Sequence, residues 1–279
     1  LESLARAGAA FVVAATLISA PIAGTFALLG GKPMVAAEMT ATRLGGPYTL
    51  DIVQTPLDGG KPITNYTLDM TKLMHLIIVS DDFTEFFHVH PAFDAKTGHF
   101  TIEQRLDPLH RYYAYADSQP TGMSQQVFRF TIQPGPNATN NVSPFKRPSP
   151  VTADAGPYTV TLAKTTLPAN TMQMIDVNIT RNGTPATDLK PYLGAAAHAV
   201  FINTSSLQYV HVHPMVQGAH ASMSDMHMSM PMNDDIGMGK AGPKLMMHVP
   251  PLPAGIYRLW LQFQGGSTLQ VAAFTIVAR

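Results

Sequence analysis

Beyond residue 37 the chain alternates short runs of β-branched and aromatic residues with clusters of Pro, Gly, Asn and Asp, and no convincing amphipathic helical period interrupts them. Runs of this kind, bounded by turn formers, predict strands. In the first half they fall over 48–55, 65–69, 73–80, 86–90, 99–105, 111–117 and 126–132; in the second, over 157–163, 173–181, 197–203, 207–213, 244–249, 255–263 and 269–277. Many short strands with regular turn signals predict an all-β sandwich architecture. The first 37 residues follow another rule. No residue from Ala7 to Gly31 is charged, and FVVAATLISAPIAGTFALLG is apolar and long enough to cross a bilayer. An N-terminal transmembrane helix is therefore expected, with Arg6 on the cytoplasmic side and the bulk of the chain in the periplasm or outside the cell. Val35-Ala36-Ala37 has the small-residue character of a cleavage site, but the apolar run exceeds a usual signal h-region, so a retained single-pass anchor in the cell membrane is the expectation.

One pattern occurs twice. A histidine is followed thirteen positions later by His-Val-His-Pro, first as His75 with His88, Val89, His90 and Pro91, then as His198 with His211, Val212, His213 and Pro214. Each pair is separated by 123 positions, and the same offset carries Gly60 onto Gly183, Pro62 onto Pro185 and Thr64 onto Thr187. Gly46-Pro47-Tyr48-Thr49 also matches Gly156-Pro157-Tyr158-Thr159 at an offset of 110, and Phe130-Thr131-Ile132 matches Phe274-Thr275-Ile276 at 144. On this reading the second copy gains 13 residues before the shared core and 21 after Pro214. An internal repeat of this length divides the chain: a 1–37 anchor or signal segment, a 38–135 sandwich, a Pro- and Asn-rich 136–155 linker, and a 156–279 sandwich carrying a methionine-rich loop at 215–240.

Composition narrows the chemistry. Charged residues make up 13% and the formal net charge is zero, so no basic stripe exists to neutralise phosphates and nucleic acid is not an expected partner. Cysteine is absent, which removes disulfides, thiolate nucleophiles and thiolate zinc sites and leaves His, Met and carboxylates as ligands.

HLIIVSDDFTEFFHVH reads as a β-hairpin with Asp81, Asp82 and Thr84 around its turn. Side chains two apart on a strand share a face, so His88 and His90 point the same way. Antiparallel pairing with positions summing to 163 or 165 sets His75 opposite one of them and diagonal to the other. Opposed Cβ atoms lie roughly 5 Å apart, so three rings can converge on one ion, and His198, His211 and His213 should do the same. Descent from one ancestral unit copies packing residues as faithfully as ligands. Burying three imidazoles without an ion or a partner is costly, however, and favours a metal.

The second candidate lies just past the second His-Val-His-Pro, where Met223, Met226, Met228, Met230 and Met232 crowd beside His220 and His227. Nine of the sixteen methionines fall between Met215 and Met247, so the enrichment is local. Thioethers are soft, neutral ligands that select Cu(I) or Ag(I). Flexible packing against a partner is the plainer use of such methionines, but their attachment to a histidine triad favours copper, as Cu(I) and Cu(II), with zinc as the other candidate for the imidazoles. His248 and Met246-Met247 are expected on the next strand within reach of this region, whereas His99 and His110 have no counterparts in the repeat and read as surface residues.

The segments HLIIVSDDFTEFFHVHP, PYLGAAAHAVFINTSSLQYVHVHP and PLPAGIYRLWLQFQGGSTLQVAAFTI resemble a group of uncharacterised extracytoplasmic bacterial proteins with tandem sandwich domains, over nearly everything after Tyr48. That resemblance implies immunoglobulin-like or cupredoxin-like β-sandwiches and a link to heavy metals. The methionine-rich loop is more loosely similar to periplasmic copper-resistance carriers, of which only the ligand chemistry carries over. The Cys ligand of blue copper is missing, which speaks against electron transfer. The expected function is a membrane-anchored extracytoplasmic copper-binding protein that buffers the ion or hands it to a transfer partner. A non-catalytic accessory subunit of a membrane complex is the alternative. No nucleophile elbow or phosphate loop argues for an enzyme.

Overall fold

The computed structural model describes residues 17–18, 20–43, 45–135, 143–217 and 240–279. Within them the chain is all β. The first unit contains β1 (Leu17–Ile18), β2 (Ile22–Ala23), β3 (Thr25–Phe26), β4 (Val35–Arg43), β5 (Tyr48–Pro56), β6 (Tyr66–Thr67), β7 (Met74–Ser80), β8 (Phe86–Val89), β9 (Ala92–Asp94), β10 (His99–Gln104), β11 (Tyr112–Pro120) and β12 (Gln126–Ile132). The second contains β13 (Thr152–Ala155), β14 (Tyr158–Leu162), β15 (Thr166–Leu167), β16 (Gln173–Arg181), β17 (Thr184–Pro185), β18 (Leu189–Lys190), β19 (His198–Asn203), β20 (Tyr209–Val212), β21 (Met215–Val216), β22 (Lys244–Val249), β23 (Gly255–Gly265) and β24 (Thr268–Ala278). Every strand expected from the sequence is present.

Four sheets result, two per unit: β1-β4-β5-β10-β9 against β3-β12-β11-β7-β8, and β13-β14-β16-β22-β21 against β15-β24-β23-β19-β20. Outer strands show the alternation of a sheet with one wet face: β4 buries Val35, Ala37, Met39 and Ala41 and exposes the residues between the first of them. Each unit has its own core, with Leu50, Leu76, Ile78, Phe100 and Phe130 central to the first and Ile175, Val177, Phe201, Leu259 and Phe274 to the second.

β7 and β19 break the alternation, because every residue in both is buried. Their even and odd positions serve different cores. Leu76 and Ile78 enter the first sandwich, while Ile77 and Val79 join Tyr115, Val127, Val200, Ile202, Tyr209 and Trp260 in a third apolar layer built by both units. The inner sheets therefore pack outer face on outer face. Phe86 stacks on Trp260 with centroids 5.0 Å apart, and Tyr115 stacks on Tyr209 at 5.3 Å.

The sheet orders also correct the outer part of the repeat. β5 and β16 hold the same place in their sheets, as do β4 and β14, so the Gly-Pro-Tyr-Thr match of β5 with β14 equates neighbouring, non-equivalent strands. The difference of 13 residues read from it is not an insertion of that kind.

The membrane helix expected within 1–37 is not found where the chain is described. Residues 1–16 lie outside the described residues, but from Leu17 onward the segment forms β1, β2 and β3 and then the first third of β4. Among the described residues no helix is long and apolar enough to cross a membrane. Pro21 and Gly24 disfavour a helix here, and Gly24 sits where an added Cβ would come within 3.0 Å of Phe128 and Phe130. The apolar side chains find protein cover: Ile22 and Phe26 pack on the first core, and Ala27 enters the shared layer. The segment also bridges the units, since Ala27 N donates to Val127 O, Tyr209 N donates to Ala27 O and Leu29 N donates to Tyr209 O.

Trp260 is the largest side chain in the shared layer and is 2% exposed. Trp260→Ala should lower the unfolding free energy by about 3–5 kcal/mol, read from the denaturant midpoint. A midpoint equal to wild type would show that the inner sheets do not rest on one another.

Candidate metal centre

The hairpin expected from the sequence forms with the pairing sum of 165: Ile77 faces His88 and Leu76 faces Val89 across β7 and β8. Its turn is held by Asp82, whose carboxylate accepts from Ser80 Oγ at 2.6 Å and from Thr84 N at 3.1 Å. In the second unit Ala199 faces Val212 and Val200 faces His211. These registers send His75, His88, His198 and His211 out of their own sandwiches and towards the shared layer. The two triads are not separate. His75 and His198 lie 5.8 Å apart between ring centroids, His75 and His211 5.3 Å, and His88 and His198 5.3 Å. His90 closes on His75 at 5.0 Å, and His213 on His198 at 4.8 Å. Six imidazoles form one cluster across the junction.

Ligand nitrogens come within 4.8 Å of one another in two overlapping groups, His75 with His88 and His198, and His198 with His211 and His213. The first draws its third member from the other unit rather than from His90, a departure from the self-contained triads expected. His198 belongs to both.

In four of the six rings hydrogen bonds to oxygen assign the nitrogen that carries the proton. His75 Nε2 donates to the carbonyl of Asp69 at 3.0 Å, and His198 Nε2 donates to that of Tyr192 at 3.1 Å. The two carbonyls are again 123 positions apart, each in a tight turn closed by reciprocal backbone bonds, Asp69 with Lys72 and Tyr192 with Ala195. The middle histidines are fixed from the opposite unit: His88 Nδ1 donates to Gln262 Oε1 at 2.8 Å and His211 Nδ1 to Asp117 Oδ2 at 3.4 Å. Asp117 stands opposite His75 on β11, and Gln262 opposite His198 on β23, so the two form a second matched pair. Carbonyls cannot donate, nor can Asp117 when ionised, so in the neutral rings beside an ionised Asp117 the nitrogens His75 Nδ1, His88 Nε2, His198 Nδ1 and His211 Nε2 are bare lone pairs.

Those lone pairs face each other. His75 Nδ1 and His88 Nε2 are 2.8 Å apart, and His198 Nδ1 and His211 Nε2 are 3.3 Å apart. Two bare nitrogens at such distances repel unless a cation lies between them. Burial works against a proton: it lowers the pKa of His75, takes His88, His211 and His213 well below the ordinary value, and puts His90 near 3 and His198 near 4. A metal ion meets the need without a proton. Two imidazoles on a tetrahedral ion with bonds of 2.0–2.1 Å have nitrogens about 3.3 Å apart, the spacing of the His198–His211 pair. His90 Nε2 and His213 Nε2 are buried without a hydrogen-bond partner, which leaves two more nitrogens to be satisfied.

A cavity of about 210 Å³ leads to the second group, lined among others by Asp69, Asp117, Gln125, His211 and His213. Burial raises Asp117 to about 7, with the nearby Asp69 charge adding to the rise and hydrogen bonds from Gln125 and Tyr209 opposing it. Its two oxygens accept from Gln125 Nε2 at 2.7 Å and Tyr209 Oη at 3.0 Å.

Of the other sequence candidates, His220, Met223, Met226, His227, Met228, Met230 and Met232 lie outside the described residues. Met247, expected near that loop, instead enters the second core, whereas Met246 and His248 occupy the opposite face of β22. His99 Nδ1 is hydrogen-bonded to the Asp51 carboxylate at 2.8 Å, and His110 lies 3.8 Å from Asp81. Sequence reasoning missed Asp117 and Gln262, whose offset of 145 differs from the 123 of the histidines. It also missed the carbonyls of Asp69 and Tyr192, since a carbonyl leaves no mark on residue identity.

Residues 40–135 and 151–279 match the family model described as a domain of unknown function (DUF8832), and the chain belongs to that family. A search of curated proteins found no match.

The depressed histidine pKa values set the direction of the pH response. The unfolded chain takes up imidazole protons near pH 6.5, while the folded cluster refuses them until His198 titrates near 4 and His90 near 3. Stability of chelator-treated protein should therefore fall as pH drops from about 6.5 towards 4. Asp117, raised to about 7, and Asp69, also raised by burial, pull the other way as two groups against six. Scanning calorimetry checks this, and a melting temperature that stays level or rises between pH 7 and 4.5 would contradict it.

Proposed function

We propose that this member of a family with no assigned activity is a metal-binding protein, and that it holds copper or zinc among His75, His88, His90, His198, His211 and His213 at the junction of its two sandwiches. The observation that carries the reading is the pairing of bare, buried nitrogens at 2.8 and 3.3 Å, with every outward nitrogen of those four rings donating to a fixed oxygen. Metal-bound histidines depend on such outer partners to fix tautomer and orientation. Neutral imidazoles without thiolate or abundant carboxylate suit zinc and copper over magnesium or calcium.

The role we assign is to hold or pass on the ion rather than to catalyse a reaction. A shell crowded with imidazoles resembles a closed site more than one kept open for water. Asp117 beside the cavity supplies negative charge where an ion would approach His211 and His213. The preference for copper comes from the methionine-rich segment that follows Met215 in the sequence. An extracytoplasmic location, attachment to a membrane through the N-terminal segment and delivery to a membrane-bound partner belong to the same proposal. They rest on the uncharged residues from Ala7 to Thr16 that precede β1 in the sequence and on the absence of cysteine.

Loading with Zn(II) or Cu(II), removal of excess and metal analysis test this reading. Stoichiometric metal with an all-imidazole shell in X-ray absorption is expected, and His211→Ala should weaken binding by on the order of tenfold or more. Because the ligands come from both units, metal at a hundred times its Kd should stabilise the fold by about 2.7 kcal/mol. Protein that retains no metal after loading would end the proposal.

A further inference from the structure

The outer sheet of the second sandwich offers a comparison that the molecule makes with itself. In β22, Leu245, Met247 and Val249 face the core, so Lys244, Met246 and His248 face away from it. In β16, Ile175, Val177 and Ile179 face the core, so Met174 and Asp176 share that outer face. Register places Met174 directly opposite His248, and Met246 directly opposite both Asp176 and Met215 of β21. Cross-strand neighbours have Cβ atoms about 5 Å apart, and diagonal ones about 7–8 Å, within the reach of a methionine. Three thioethers and one imidazole thus stand together on a face that should be polar.

The first unit shows what this face carries by default. Its equivalent strands are β5, β9 and β10, and the same registers pair Glu103 with Thr49 and Thr101 with both Asp51 and Ala92. Met174, Met215, Met246 and His248 therefore stand where the first unit has Thr49, Ala92, Thr101 and Glu103. Packing cannot account for the change. Met174 is 54% exposed and gains no core by being apolar. His248 Nε2, meanwhile, is buried without a hydrogen-bond partner, the mark of a nitrogen awaiting a ligand.

We propose that Met174, Met215, Met246 and His248 form a second metal site, on the outer face of the second sandwich, for a soft monovalent cation, Cu(I) or Ag(I). Thioethers and neutral imidazole bind such ions without deprotonation and without charge compensation. Asp176, the carboxylate on this face, is engaged by Gln217 Nε2 at 2.8 Å. The site differs in metal class from the histidine junction and stands whether or not the junction binds metal.

Silver nitrate is the probe, and methionine methyl NMR the readout. The full chain is used with Met223, Met226, Met228, Met230 and Met232 replaced by Leu and His220 and His227 by Gln, so that the loop contributes no ligands. One equivalent of Ag(I) should shift the methyls of Met174, Met215 and Met246 together. Met246→Thr, which installs the first unit's residue, and His248→Gln should each weaken that binding by on the order of tenfold or more, with unchanged melting temperatures in the absence of silver. His211→Ala should leave the silver shifts in place, which separates this site from the junction. Methyls that do not move with excess Ag(I), or move alike with and without His248→Gln in the loop-substituted chain, would overturn the proposal.

Discussion

Two backbone carbonyls determine the chemistry of the junction. Asp69 and Tyr192 each accept a proton from the outward nitrogen of a first-position histidine, at 3.0 and 3.1 Å. A neutral imidazole has only one proton to give, so committing it outward strips the inward nitrogen. Each carbonyl is held by a turn that closes on itself through reciprocal backbone bonds and places non-glycine residues, Met70, Thr71 and Leu193, at positive φ. Such backbone is costly and persists where its surroundings demand it. The same device appears in both units at the same spacing.

The shared apolar layer then turns two local arrangements into one site. Stacking of Phe86 on Trp260 and of Tyr115 on Tyr209 brings the inner sheets together, and each central strand sends a side chain across to orient the other unit's histidine. The exchange is matched in position and unmatched in charge, a carboxylate from the first unit and an amide from the second. The carboxylate lies on the side where the cavity opens. Duplication supplied the symmetry, and one residue broke it.

Much of this could be read from residues alone, and what could not has physical reasons. Spacing narrowed the hairpin register to two sums, 163 and 165, because a strand's period of two admits few pairings that keep three histidines on one face. The triads were legible; their fusion was not, although a sign of it was present. MHLIIVS and HAVFIN are buried at every position, whereas VAAEMTATR alternates from its first residues. A strand apolar on both faces has a layer on each side, and a free-standing two-sheet sandwich has none to offer. The described part of the N-terminal segment shows a related limit. Apolar character says only that a segment avoids water, and here Ile22, Phe26 and Ala27 satisfy it against protein.

That segment has a kinetic consequence. Leu28 bridges to Tyr209, so the stretch 27–29 cannot complete its pairing until a strand far along the sequence has formed. Contacts between such distant residues raise contact order and slow folding, because the closure entropy precedes any gain. The first sandwich holds all the partners of β1, β2 and β3, and only the short stretch 27–29 waits on Tyr209, stitching one unit to the other.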